Sequence, residues 1–149
     1  MPKYLDTEPD LGEHESIAAE YPAETYLVRQ EEPEGSGATF RFETPAREPI
    51  EFGDETRATL FADLYTALGG IRIGEGVGEY GIPVQVAAAG KAAIASYMYA
   101  VWEQSATQIA GTLDVDRETV IRYFERIRAR AEDEKEQYEG SETPPGEAA

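Results

Sequence analysis

Two stretches of helical periodicity stand only three residues apart towards the C-terminal end of this 149-residue chain, and that spacing constrains the fold more than any other feature. Ser105 followed by Gln108 has the arrangement of a capping box, in which hydroxyl and side-chain amide each satisfy a backbone N–H at a helix start. The inward residues of this helix are Ile109, Ala110 and Leu113. The connector Asp114-Val115-Asp116 has room only for a tight turn, and Asp116 stands at the cap position of a second helix. Its apolar residues Val120, Tyr123, Phe124 and Ile127 recur at three- and four-residue spacing. Two amphipathic helices tied this closely must bury their stripes against each other and against a third element.

That third element is supplied by residues 84–103, which are rich in Ala and carry Ile94, Tyr97, Met98, Val101 and Trp102 on one helical side. One long, largely buried helix is expected there. Upstream, Thr25-Tyr26-Leu27-Val28-Arg29-Gln30 and the strictly alternating Ala38-Thr39-Phe40-Arg41-Phe42-Glu43-Thr44 read as paired strands. Their linker contains Pro33, Gly35 and Gly37, and Ile50-Glu51-Phe52 adds a short third strand after Pro45 and Pro49. Phe40 and Phe42 share a face that should cover a helix. Asp54 caps that helix, with Leu60, Phe61, Leu64, Tyr65 and Leu68 inward and Gly69-Gly70 as its stop. The fold class is therefore α+β, a small N-terminal antiparallel sheet of a hairpin or three strands, followed by helices.

Charge at first opposes a nucleic-acid partner, since 13 Lys and Arg stand against 30 Asp and Glu, a net of −17, and an acidic surface repels polyanions. The distribution reverses this. Residues 105–131 hold five Arg (117, 122, 126, 128 and 130) and four acids (Asp114, Asp116, Glu118 and Glu125), a net of +1, while the other 122 residues carry eight basic and 26 acidic groups. Only Lys3, Lys91 and Lys135 are lysines. Acid excess with little Lys suits a protein working in molar salt, where a Debye length of roughly 3 Å screens self-repulsion.

The segment Gln108-Ile109-Ala110, with Leu113, Val115, Thr119-Val120 and Tyr123, resembles the helix-turn-helix of sigma-factor region 4 and of many prokaryotic transcription regulators. Ala110 lets the helices approach, Leu113 and Val115 pin the turn, and Val120 and Tyr123 seat the second helix on the first. The chain departs from the pattern at Asp114, where the family commonly has Gly for a left-handed backbone; Asp tolerates that conformation better than most residues. Ala62-Asp63-Leu64-Tyr65, Gly81-Ile82-Pro83 and Ala89-Gly90-Lys91 are also similar to small haloarchaeal helix-turn-helix proteins.

The resemblance implies a partner, double-stranded DNA, and roles for named residues. Arg117, Glu118, Ile121 and Arg122 are the expected base readers: Arg for guanine, Glu for cytosine and Ile for a thymine methyl. Ser105, Thr107 and Gln108 at a helix N-terminus, together with Arg126, Arg128 and Arg130, are expected at the phosphate backbone. The last three arginines have a second reading as partners of Glu125, Glu132 and Glu134 on a solvated helix. A two-fold operator implies a homodimer, through the helix bearing Tyr97, Met98, Tyr99 and Trp102 or through the sheet. No effector ligand is indicated.

Against this stands a protein-interaction module using the same helices, because a fold pattern does not specify function. Catalysis is not expected: there is no Cys, and His14 is the only histidine, so neither a catalytic triad nor a metal site is indicated, and no cofactor is called for. The glycine-rich run at residues 74–81 lacks the Lys-Ser/Thr pair of a phosphate loop and carries Glu75 and Glu79. With neither leader nor apolar span, a cytoplasmic, membrane-free protein is expected. The expected organisation is an acidic arm over residues 1–24, a sheet, helix and glycine-rich connector over 25–83, a three-helix DNA-binding unit over 84–134 and a disordered acidic tail over 135–149.

Overall fold

The computed structural model describes residues 11–32, 37–45, 47–71 and 81–141. The architecture is α+β, an antiparallel sheet followed by helices. Four strands, β1 (Glu15–Tyr21), β2 (Thr25–Glu31), β3 (Ala38–Thr44) and β4 (Arg47–Phe52), lie in sequence order as a meander. Five helices follow: α1 (Glu55–Ala67), α2 (Val84–Ala88), α3 (Lys91–Ala100), α4 (Ala106–Leu113) and α5 (Arg117–Ser141). The chain divides into two compact units at residues 62 and 63, inside α1. No helix among the described residues is long and apolar enough to cross a membrane.

In the first unit, alternation places Leu27, Phe40, Phe42 and Phe52 on one face of the sheet, all of them buried. Phe42 meets Phe61 of α1 edge-on at 5.0 Å between ring centroids, and Phe52 lies 5.5 Å from the same ring. As the sequence predicts, the aromatic face covers a helix. The Asp54 carboxylate accepts from the Arg57 N–H at 3.0 Å and starts that helix. On the other face Arg41 grips Glu15 through two hydrogen bonds, 2.8 and 3.1 Å, and also donates to Glu43. The Arg41 guanidinium, followed by the Gly12 N–H, holds the Glu15 carboxyl down to about 2.

Glu15 belongs to a strand that composition does not announce. The expected arm over residues 1–24 is corrected here, since β1 pairs with β2 from Glu15↔Gln30 to Tyr21↔Thr25, with a bulge between Ile17 and Ala19. The sheet thus has four strands instead of two or three. Residues 1–10, the hairpin linker at 33–36, the connector at 72–80 and the end of the acidic tail at 142–149 lie outside the described residues.

The second unit holds three further departures. The single helix expected over residues 84–103 is two, α2 and α3, separated at Gly90, whose φ of 102° no Ala in the run could adopt cheaply. The helix expected to give way to disorder at residue 135 continues to Ser141. Lys135, Glu136, Gln137 and Glu139 are good helix formers, and this outweighs the acidic composition. The third concerns the helix bearing Tyr97, Met98, Tyr99 and Trp102, which with the sheet is one of two expected dimer surfaces. Tyr97 and Met98 are buried within the chain, and Tyr99 packs 4.9 Å from Phe124.

Candidate nucleic-acid interface

The capping box forms as the sequence predicts. The Gln108 N–H donates to Ser105 Oγ at 3.1 Å, and the Ser105 N–H donates to Gln108 Oε1 at 2.9 Å. Ile109 and Ala110 are buried beneath α4, with Leu113 half-buried at its end. Asp114 then turns the chain in the left-handed conformation, φ 58° and ψ 50°, and its N–H and that of Val115 both reach the Ala110 carbonyl. The Asp116 carbonyl accepts from the Val120 N–H at 3.2 Å in the first turn of α5. Val120, Tyr123, Phe124, Ile127 and Ala131 form the buried stripe of α5, which packs on α3 and α4. Helix, three-residue turn and helix are therefore assembled from local chemistry.

A left-handed backbone costs a residue with a Cβ roughly 1 kcal/mol or more, and Gly avoids that cost. Asp114→Gly is accordingly expected to raise the thermal midpoint modestly. A midpoint below that of the parent chain would show that the Asp side chain contributes more than the backbone strain costs.

The expected base readers fall in the first two turns of α5. At 100° per residue, Glu118 and Arg122 look away from the buried stripe, with Arg117 and Ile121 to one side. Arg117, Glu118 and Arg122 are exposed; Ile121 is half-buried against its neighbours. The expected backbone contacts divide. Ser105 and Gln108 are exposed, but each side chain is bonded to the other residue's backbone N–H, whereas Thr107 is exposed without a hydrogen bond of this kind among the described residues. Arg126 and Arg130 are exposed on one flank, the former with its guanidinium 5.6 Å from the centre of the Tyr123 ring.

Arg128 lies on the opposite flank, half-buried. Together with Lys135 it directs positive charge at Asp63 of α1. Burial pushes the Asp63 carboxyl up to about 6, against the pull of Lys135 and Arg128, while Glu132 adds to the rise. Sequence reasoning missed Asp63, although its place between Ala62 and Leu64 in an otherwise apolar stretch of α1 was a signal. A carboxyl whose folded value lies above its unfolded one is held protonated by folding, so its contribution is complete below about pH 4 and lost as pH rises through 6. Asp63→Asn should stabilise the chain at pH 7.5, on the order of 2 kcal/mol. The gain over the parent should vanish at pH 4, and an equal gain at both pH values would remove ionisation as its cause.

Ion pairing separates the two sets of arginines. Arg29, Arg41 and Arg57 each hold a carboxylate, respectively Glu31, Glu15 with Glu43, and Asp54. Among the described residues, none of Arg117, Arg122, Arg126, Arg128 and Arg130 forms an ion pair. The reading that pairs the last three with Glu125, Glu132 and Glu134 is therefore not realised. In a chain with 30 acidic residues, the four exposed arginines of α5, Arg117, Arg122, Arg126 and Arg130, form a cationic surface in an acidic background, while the charge of Arg128 is directed at Asp63.

Comparison with protein families, curated proteins and solved structures found no match for this chain.

Proposed function

We propose that this protein binds double-stranded DNA through α4 and α5, with the first turns of α5 in the major groove. More specifically, it is a sequence-reading transcriptional regulator acting in the cytoplasm of a salt-loving cell. The observation that carries this reading is the set of exposed arginines on α5, Arg117, Arg122, Arg126 and Arg130, none of which forms an ion pair among the described residues. Arg117 and Arg122 each offer guanine two hydrogen bonds, Glu118 accepts from cytosine, and Thr107, Arg126 and Arg130 meet phosphates. A two-fold operator would engage two copies.

Docking of a protein on the same helices is the competing reading, favoured by Glu118 and Glu125 within the exposed face of α5. Selection of bound fragments from random duplex DNA in molar KCl distinguishes the two. Enrichment of one motif supports the regulator and supplies its operator. No enrichment, from a chain shown by circular dichroism to be folded, rejects DNA reading in favour of protein docking.

A further inference from the structure

The charge on α5 reverses partway along one continuous helix. Residues 117–130 carry five Arg and two Glu, whereas residues 131–141 carry five acids and one Lys. At 1.5 Å per residue the 25-residue helix is roughly 37 Å long, and the reversal falls roughly 21 Å from its start. Resting on the DNA reading above, we propose that α5 is a one-ended interface. The exposed row starts at Arg122, which reaches a base edge, and passes through Arg126 and Arg130, which follow the phosphodiester backbone of a duplex; the acidic run beyond it stops the contact. The duplex then has to cross α5 steeply instead of lying along it.

The row is a geometric consequence of four-residue spacing, which brings successive side chains onto neighbouring positions of one flank about 6 Å apart. All three arginines are exposed and, among the described residues, without an ion pair. Like charges at this spacing weaken a helix by mutual repulsion, which an anionic partner relieves. Asp133 comes next on the same flank, three residues past Arg130, with Glu136 also exposed near it, while Glu132 turns towards Asp63. Arg128 and Lys135 do not extend the row, because they lie on the other flank and face Asp63.

A major groove about 12 Å wide admits the start of α5. Were the helix to lie lengthwise against the duplex, Asp133 and Glu136 would meet phosphates without counter-charge. Attraction to phosphates is the sequence-independent part of duplex binding. The acidic run therefore acts against non-specific binding more than against the operator.

Because the chain has no Cys, a single introduced thiol takes a hydroxyl-radical-generating iron chelate at one chosen position. Glu125→Cys and Gln137→Cys stand about 18 Å apart along α5. In complexes with the selected duplex, strand cleavage is expected from position 125 and not from 137; cleavage of similar strength from both would overturn the one-ended geometry. Asp133→Asn with Glu136→Gln is expected to raise affinity for random duplex about fivefold in low salt and to raise operator affinity less. Equal gains for both duplexes, or none, would count against the acidic stop. Absence of any duplex binding by the parent chain sinks the DNA reading itself, whereas binding with cleavage from both positions sinks the orientation alone.

Discussion

Ile109→Ala is expected to lower the stability of the chain by about 2–5 kcal/mol, the range for truncating a fully buried Ile. Ile109 has no exposed surface and sits on α4 where that helix packs against α3 and α5. Truncation removes three carbons from a site that neighbouring helices cannot collapse into, because α4 is fixed at one end by its capping box and at the other by the Asp114 turn. Native domains hold only about 5–15 kcal/mol in total, so a large fraction of the margin goes with one side chain. Urea unfolding followed by helical circular dichroism measures it, with Ile109→Val as the conservative partner at about 0.5–1.5 kcal/mol. A cost for the Ala variant no larger than that for Val would mean that α4 is not seated as described.

Arg117→Ala combined with Arg122→Ala should do the reverse, leaving the fold intact and removing the ability to distinguish one DNA sequence from another. Both side chains are exposed and neither forms an ion pair among the described residues, so no buried partner is orphaned. A bidentate contact to guanine is worth about 1–3 kcal/mol of discrimination. Loss of two such contacts amounts to roughly a hundredfold or more in the ratio of operator to random affinity. Titrations of both duplexes at matched salt measure that ratio. If it stays at the parental value while the circular dichroism spectrum is unchanged, base reading lies elsewhere on the surface.

The readable parts of this fold are those fixed by neighbours in the chain. Ser105 and Gln108 cap α4 from three residues apart, Asp114 adopts the left-handed turn that Asp tolerates, and Gly69 and Gly70, with φ of 71° and 112°, follow the end of α1. What escaped depends on distant partners or on competition between signals. In β1, Ile17 is the only β-branched aliphatic residue, and its Glu15 is anchored by Arg41, 26 positions away. The break at Gly90 hides in an Ala-rich window whose average favours helix throughout. Arg128 is grouped with Arg126 and Arg130 when the sequence is read alone, and its place facing Asp63 depends on α1. The acidic composition after Glu132 argued for disorder, and local helix propensity overrode it to Ser141.

The irregularities of the meander also bear on what else the chain can join. Its rims are β1 and β4, one distorted by the bulge near Ala18 and the other containing Pro49, which has no N–H to donate. Neither rim presents an uninterrupted ladder to a fifth strand, so rim-to-rim stacking of copies, the usual seed of fibres and of accidental strand exchange, is disfavoured at both ends. The sheet is left to associate, if at all, by a face.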